Sequence, residues 1–292
     1  MGPRLSIAWS CAAIACALPL AAAADDLTLP PAAVTRPRAD AAGKPDAALS
    51  GEEIYQRVLD NTFDSFVQVS SLFSGDRRGT EQWSRFKMWF QNLRKDGEDV
   101  EAGTVTSKSL VRYTEPFDIR HSGYLILSRS EAVDDQFVYM PSQRRVKRVN
   151  LRGEAVFGSD FSFEDILPRD IEDADYVRLP DANALGRDCF VIEAAPNERA
   201  RSEYSRMLVY VDKERSVPLL TRYWDDRGVE VKELRADPEA VERIDDVWIA
   251  TRMTMRNLKF ESYTRLEVSS IQANASVSPS TFEVRRLESH GR

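Results

Sequence analysis

The chain is organised around the segment Gly158-Ser159-Asp160-Phe161-Ser162-Phe163-Glu164-Asp165-Ile166, which mixes glycine, aromatic residues and carboxylates more closely than any other segment. Asp160 or Ser162 can cap a short helix, and the two carboxylates that follow fall in its first turn, where the helix dipole favours negative charge. Phe161 and Phe163 would anchor that helix. We expect a structural role, as an aromatic-anchored turn that closes one end of a sheet. A direct binding role is the alternative.

Most of the remaining sequence alternates with period two, which is typical of β-strands. In residues 84–90 this alternation puts Phe86, Met88 and Phe90 on one face and Arg85, Lys87 and Trp89 on the other. Further strands are predicted over residues 104–113, 124–128, 136–140, 146–150, 176–179, 189–194, 207–212, 218–224, 229–235, 247–255, 262–270 and 282–286. Long helical crossovers are missing from the pattern, so we expect an antiparallel meander.

A helix is expected before this sheet. Ser50-Gly51-Glu52-Glu53 fits a capping box, and apolar residues recur at helical spacing from Ile54 to Leu59, so the pattern predicts an amphipathic helix ending near Asn61. The fold class is therefore mainly β (α+β): a strongly curved antiparallel sheet or open barrel around an apolar interior that the helix partly closes.

An apolar cavity is predicted on the concave side of the sheet. Its expected lining residues are Phe86, Met88, Phe90, Met253 and Met255, because methionine and phenylalanine suit a soft, adaptable cavity. The alternation places both methionines of residues 247–255 on the face of Val247 and Ile249. The alternative is that these side chains simply pack against the helix.

The first residues read as a secretory signal peptide: Arg4, an apolar run over residues 7–20, and four alanines before Asp25. We expect cleavage after Ala24; lipidation at Cys16 is the alternative. The predicted organisation is a signal peptide at 1–24, a flexible Ala- and Pro-rich leader at 25–49, and a single folded domain at 50–292. The expected location is the periplasm of a Gram-negative bacterium.

Composition argues against several functions. The formal net charge of −7 becomes more negative when Arg4 is lost, which disfavours binding to nucleic acid. The two histidines, His121 and His290, do not suggest a metal site, and no nucleophile or nucleotide motif occurs, so neither catalytic residues nor a cofactor is predicted. Cys189, the one cysteine beyond the signal peptide, is expected to be a buried apolar residue.

A basic run, Arg144-Arg145-Val146-Lys147-Arg148, follows the turn-forming residues 141–143. It is either a solvated sheet edge or a surface for an anionic lipid head group or an acidic partner, so peripheral contact with a membrane is one expectation.

Four blocks in order resemble a known family: residues 118–127 (DIRHSGYLIL), 137–141 (FVYMP), 144–149 (RRVKRV) and 156–165 (VFGSDFSFED). Together they are similar to the LolA-like "outer membrane lipoprotein-sorting protein" family, and the strand pattern extends the resemblance over residues 50–287. The positions that carry the family signature are Tyr139, Pro141, Arg145, Arg148, Gly158, Asp160, Phe161, Phe163, Glu164 and Asp165.

The resemblance implies a LolA/LolB-like periplasmic half-barrel whose concave apolar face is covered by the N-terminal helix and short helices. It implies a non-enzymatic carrier or chaperone that binds lipid or lipoprotein acyl chains for trafficking toward the outer membrane. The alternative that it implies is an accessory or sensor subunit that docks on an inner-membrane RND-type lipid exporter. The sequence departs from the family at His121, Phe137 and Phe157, where glycine, tryptophan and methionine are usual, so the ligand stays open.

Overall fold

A computed structural model describes residues 34–35, 49–94 and 100–288. The helices are α1 (Gly51–Asp60), α2 (Phe163–Ile166) and α3 (Val284–Glu288), with 3-10 turns at Ile171–Asp173, Pro238–Ala240 and Pro279–Phe282. The strands are β1 (Val34–Thr35), β2 (Ser65–Asp76), β3 (Glu81–Asn92), β4 (Val105–Glu115), β5 (Gly123–Arg129), β6 (Asp135–Met140), β7 (Arg145–Val149), β8 (Ala174–Ala184), β9 (Arg187–Pro196), β10 (Arg206–Asp212), β11 (Pro218–Trp224), β12 (Glu230–Ala236), β13 (Val241–Ile244), β14 (Val247–Ala250), β15 (Arg252–Asn257) and β16 (Ser262–Ala273).

Fourteen strands form one antiparallel sheet in the order β1-β8-β9-β10-β11-β12-β15-β16-β2-β3-β4-β5-β6-β7, and β13 and β14 form a separate hairpin. The large sheet is curved and unclosed, with β1 and β7 at its two edges. The predicted mainly β half-barrel is therefore confirmed.

The sheet consists of two meanders joined by one long-range pairing, rather than the single meander expected from the sequence. Strand β2 pairs with β16 over eleven residue pairs, from Ser262 opposite Asp76 to Ala273 opposite Phe66. The sequence pattern missed β2 because serine lies on both of its faces, which hides the period-two alternation. Buried Ser70, for example, lies directly opposite Phe86 of β3.

Helix α1 lies against the concave side of the sheet, with its Ile54 and Tyr55 buried in the core. The predicted capping box is confirmed: Glu53 N donates to Ser50 Oγ at 3.1 Å, and Ser50 N donates to Glu53 Oε2 at 2.6 Å. The Tyr55 ring stacks on Tyr176 of β8 with centroids 4.6 Å apart. Through this contact the apolar face of the amphipathic helix packs directly on β8.

Residues 150–173 connect β7 to β8 and thus join strands near opposite edges of the sheet. Val156, Phe161, Phe163 and Leu167 of this crossing segment are buried in the main core cluster. The same cluster contains Val111 and Tyr113 of β4, Ile192 of β9 and Val209 of β10, so the crossing segment packs between the two halves of the sheet. The predicted cover of short helices on the concave face is confirmed in this segment.

Parts of the other sheet face are also covered. The hairpin β13–β14 contributes Val241 and Trp248 to a second core cluster, in which Cys189 is fully buried as predicted. Burial raises the pKa of the Cys189 thiol to about 12, which keeps it protonated. A third cluster holds Phe282 and Leu287 of the C-terminal segment against the other face of β4 to β6.

Two further strand predictions are wrong. Residues 247–255 do not form one strand: the chain breaks at Thr251, whose hydroxyl donates to Ala240 O at 2.9 Å, so β14 and β15 lie in different sheets. Met253 and Met255 therefore do not continue the face of Val247 and Ile249. The predicted strand at 282–286 is instead the end of a 3-10 turn followed by α3.

Part of the predicted domain organisation falls outside the described residues. This applies to the signal peptide at 1–24, to His290 and to most of the leader at 25–49. Within that leader, Val34 and Thr35 form β1 and pair with Ala184 and Asn183 at the edge of the sheet.

Candidate functional site

The segment 158–166 begins with a turn and continues into helix α2. Gly158 has φ +77°, a left-handed conformation that favours glycine, and its carbonyl accepts from Gln82 Nε2 of β3 at 3.2 Å. Ser162 is the N-cap of α2, and its backbone N–H donates to Asp165 Oδ2 at 2.7 Å. The expected short capped helix is thus present, with Phe161 and Phe163 buried beside it.

Asp160 ties the crossing segment to the middle of the sheet. Its carboxylate accepts from Ser262 Oγ at 2.5 Å and from Thr264 Oγ1 at 2.8 Å, both on β16. Burial raises the pKa of Asp160, and the two hydroxyl donors partly offset that rise. The carboxylate is therefore engaged in a structural contact.

Glu164 and Asp165 connect α2 to the other half of the sheet. Asp165 accepts from Lys232 Nζ of β12 at 2.8 Å and from the Tyr204 hydroxyl at 2.8 Å. Glu164 accepts from Ser202 Oγ and from the backbone N–H of Glu203 at 2.9 Å. Both carboxylates are almost completely buried and hydrogen-bonded, an arrangement that fixes the position of the crossing segment.

A cavity of about 1300 Å³ lies between α1, strands β2 to β4 and the residues that follow α2. It exceeds the range of about 300–1,000 Å³ that is common for small-molecule sites. Its apolar lining residues are Val58, Leu59, Phe66, Met88, Phe90, Val100, Ile166, Leu167, Pro168 and Ile171. The rest of the lining is polar or charged, so the cavity is amphipathic rather than uniformly apolar.

The five predicted lining residues have two different placements. Met88 and Phe90 line the cavity, and Phe90 stacks on Phe66 of β2 with centroids 5.1 Å apart. Phe86 and Met255 are buried in the main core, and Met253 packs against that core. As predicted from the alternation, Phe86, Met88 and Phe90 share one face of β3, where they oppose Tyr113, Val111 and Ser109 of β4.

The charged part of the lining is rich in ion pairs. Arg94 pairs with Asp170 at 3.0 Å, and Arg199 pairs with Glu131 at 3.1 Å and Asp173 at 3.4 Å. Burial raises the pKa of Asp170, and Arg94 partly offsets the rise. These pairs link the β3–β4 and β5–β6 connections to the crossing segment at one side of the cavity.

The remaining signature residues lie away from the cavity lining. Tyr139 is buried in the third core cluster, under α3. Arg145 and Arg148 are exposed on β7, the edge strand that follows the turn at Pro141, and Arg148 pairs with Asp135. The structure thus brings together the signature residues 158–165 but separates them from the basic hairpin.

Phe66 and Arg169 are among the cavity-lining residues that sequence reasoning missed. Phe66 belongs to strand β2, which the sequence analysis did not predict. The run Phe66-Val67-Gln68-Val69 is nevertheless rich in residues that favour β-strands and could have indicated it. Arg169 follows Leu167-Pro168 in a connection, and a single arginine there carries no local signal of its environment.

In residues 34–35, 49–94 and 100–288, no cluster of His, Cys, Asp and Glu has the arrangement of a metal site. No helix in that part of the chain combines the length and hydrophobicity needed to span a bilayer.

Comparison with known proteins identifies the family. A family model described as "Uncharacterized protein" matches residues 105–289, more than half of the chain, and one described as "Protein of unknown function (DUF1329)" matches residues 52–151. No curated protein matches the sequence significantly.

Three solved structures share most of the fold. A DUF1329 family protein from Desulfovibrio piger is 26% identical, with a TM-score of 0.74 over 81% of this chain and 97% of that one. A putative outer membrane lipoprotein-sorting protein domain from Vibrio parahaemolyticus is 24% identical, with a TM-score of 0.72 over 82% and 98% of the two chains. A LolA superfamily protein from Nitrosomonas europaea is 20% identical, with a TM-score of 0.62 over 81% and 98%. The chain therefore belongs to the family whose model, described as "Uncharacterized protein", matches residues 105–289, and its half-barrel fold is the LolA-like fold that the signature blocks predict.

Proposed function

We propose that the protein is a non-enzymatic periplasmic carrier or chaperone that binds the acyl chains of lipids or lipoproteins in the cavity beneath α1. The observation that carries the proposal is the cavity of about 1300 Å³, whose wall includes apolar residues of α1, β2, β3 and the segment that follows α2. The fold likeness to the lipoprotein-sorting domain of Vibrio parahaemolyticus is consistent with it. The proposal includes the signal peptide at 1–24, the leader at 25–49 and a single domain at 50–292.

The apolar wall provides the driving force for binding. Each buried methylene contributes about 0.8 kcal/mol, so a long acyl chain would bind without any catalytic group. We propose that Met88 and Phe90 contact the chain directly, because both line the cavity. Phe86, Met253 and Met255 would support that wall from the core behind it.

The test is saturable binding of a fluorescent fatty acid to refolded, delipidated protein. Met88→Asp and Phe90→Asp should each weaken binding by tenfold or more, because a carboxylate in the apolar wall repels the chain. Phe260→Asp is the matched control, since Phe260 is exposed and does not line the cavity. Absence of saturable binding in the unaltered protein would contradict the proposal, and native mass spectrometry of the purified protein would identify any bound lipid.

A second candidate function is docking on an inner-membrane RND-type transporter as an accessory or sensor subunit. It is favoured by the basic hairpin, since Arg144, Arg145 and Lys147 are exposed and form no ion pair with a described residue. Arg145→Glu with Lys147→Glu should abolish co-purification with the transporter and leave fatty-acid binding intact. An unaffected complex would count against docking through this hairpin.

A further inference from the structure

Arg169 is a mostly buried cation in the lining of the cavity. Its side chain is 15% exposed and follows α2 in the crossing segment. Its guanidinium donates no hydrogen bond to a described residue, and its one ionic contact among them is Glu164 Oε1, which is 3.9 Å from Nη2. A guanidinium carries five N–H donors, so Arg169 has unused donors next to the cavity.

Glu164 does not satisfy these donors. Its Oε1 already accepts from Ser202 Oγ, and its Oε2 accepts from the backbone N–H of Glu203 at 2.9 Å. The Glu164 carboxylate therefore balances the charge of Arg169 at a distance but does not form a bidentate pair with it. The nitrogen atoms of Arg169 are open to the cavity, so an acceptor that enters the cavity can receive their hydrogen bonds.

The other two arginines of the cavity provide a comparison within the same site. Arg94 pairs with Asp170 at 3.0 Å, and Arg199 pairs with Glu131 at 3.1 Å. Their donors are engaged by carboxylates of the protein, whereas those of Arg169 are not.

The charge of Arg169 is secure at physiological pH. Burial alone would lower its pKa. Electrostatic interactions with nearby acidic groups more than offset this effect and hold the pKa above its ordinary value; these groups are Tyr55, Tyr223, Glu164 and Asp165. A second unsatisfied polar group lines the same cavity: the buried Oγ of Ser107 on β4 has no hydrogen-bond partner among the described residues.

We propose that Arg169 binds the anionic head group, a carboxylate or a phosphate, of an amphiphilic ligand whose acyl chain lies on the wall formed by Met88 and Phe90. The planar guanidinium matches two oxygens of either group, and Arg169 has no hydrogen-bond acceptor among the described residues. This inference rests on the proposed function, because it assigns the second half of the ligand that the apolar wall would hold. It makes the protein selective for acidic lipids over neutral lipids of equal chain length.

The experiment compares ligands that share a chain and differ in the head group: hexadecanoate, hexadecyl phosphate and hexadecanol, each displacing a fluorescent acyl probe. The unaltered protein should bind the two anions about tenfold or more tightly than the alcohol. Arg169→Met should abolish this preference and leave hexadecanol affinity unchanged, and Arg169→Lys should restore part of it. Arg227→Met is the matched control and should retain the preference, since Arg227 is 78% exposed and does not line the cavity.

Two further arms keep the result interpretable. Because Arg169→Met leaves Glu164 without its counter-charge, the pair Arg169→Met with Glu164→Gln removes both charges and should show the same loss of preference. Inorganic phosphate alone tests whether the site takes a free anion; binding as tight as that of hexadecyl phosphate would overturn the assignment to a lipid head group.

The outcomes separate the two proposals. Equal affinity for hexadecanoate and hexadecanol, or an unchanged preference in Arg169→Met, would overturn the head-group assignment while leaving acyl-chain binding in place. Failure of all three ligands to bind the unaltered protein would overturn both.

Discussion

The Asp165 carboxylate accepts several hydrogen bonds that hold the crossing segment in place. Its side chain is 1% exposed and accepts from Ser162, Tyr204 and Lys232. A buried carboxylate with this many donors is expensive to remove, because the lysine is left as an uncompensated buried charge. The hydrogen bonds of Asp165 thus fix the crossing segment against β12 and the β9–β10 connection.

Asp165→Ala should lower the free energy of unfolding by about 3–5 kcal/mol, measured by urea denaturation. Asp165→Ala combined with Lys232→Met should cost less than the sum of the two single changes, since the unpaired lysine is then gone. Asp226→Asn is the control, because its side chain is 89% exposed and should change stability by no more than about 0.5 kcal/mol. Strict additivity of the pair would contradict the assigned contact.

Asp135 gives a prediction about pH. A hydrogen bond from Arg129, with a further contribution from Arg148, holds the pKa of Asp135 below its ordinary value. A carboxyl whose pKa is lower in the folded state stabilises the fold above its unfolded pKa, and that stabilisation is lost as pH falls through the folded pKa.

Asp135→Asn should therefore be less stable than the unaltered protein at pH 7, by about 1–3 kcal/mol, and the gap should close below about pH 4. Unfolding midpoints in urea between pH 7 and pH 3 measure the gap. Asp118→Asn, at an exposed carboxylate, is the control and should change stability at pH 7 by no more than about 0.5 kcal/mol. A gap that stays constant down to pH 3 would contradict the shift.

At the scale of elements, the contact between α1 and β8 depends on a glycine. A Cβ on Gly51 would lie 2.9 Å from Arg178 N and 3.0 Å from the carbonyl oxygen of Tyr176. Both are backbone atoms of β8, so the strand cannot move aside as a flexible side chain would. The first turn of the helix can approach the strand this closely only with glycine at this position.

Gly51→Ala should reduce the free energy of unfolding by about 1–3 kcal/mol, because the added methyl overpacks the contact. Helix propensity alone would change stability in the opposite direction by about 1 kcal/mol, so the sign of the result is informative. Glu52→Ala, one residue further and exposed, is the control in thermal denaturation. A more stable Gly51→Ala protein would show that the contact can relax.

At the scale of the whole molecule, the pairing of β2 with β16 joins the two meanders. The two strands are far apart in sequence, and β16 lies in the interior of the sheet between β15 and β2. The C-terminal helix α3, in contrast, covers one face of β4 to β6 through Leu287. Losing β16 should divide the sheet, whereas losing α3 should only uncover part of it.

A chain that ends before Ser262 should therefore not unfold cooperatively. A chain that ends after Ala275 should retain the sheet with reduced stability, because only the cover from Phe282 and Leu287 is lost. Circular dichroism and thermal denaturation distinguish the two. Cooperative unfolding of the shorter chain would contradict the importance of the β2–β16 pairing.

The local features of this protein can be predicted from its sequence. Period-two alternation located most strands and put Phe86, Met88 and Phe90 on one face, and the Ser50 and Glu53 pattern located the start of α1. The signature blocks also indicated the LolA-like family. These features are readable because each depends on residues that are close together in the chain.

The long-range strand pairing, the break at Thr251 and the burial of individual side chains depend on contacts between distant parts of the chain. No local sequence pattern predicts the pairing of β2 with β16, because the two strands are far apart in the sequence. The serines on both faces of β2 also hide its period-two alternation. The break at Thr251 comes from a contact with Ala240 in another strand connection. Burial and bonding partners are set by elements that are distant in the sequence. For this reason Met88 and Phe90 line the cavity, whereas Phe86 and Met255 are enclosed by the core. For the same reason Arg169 has no hydrogen-bond acceptor among the described residues.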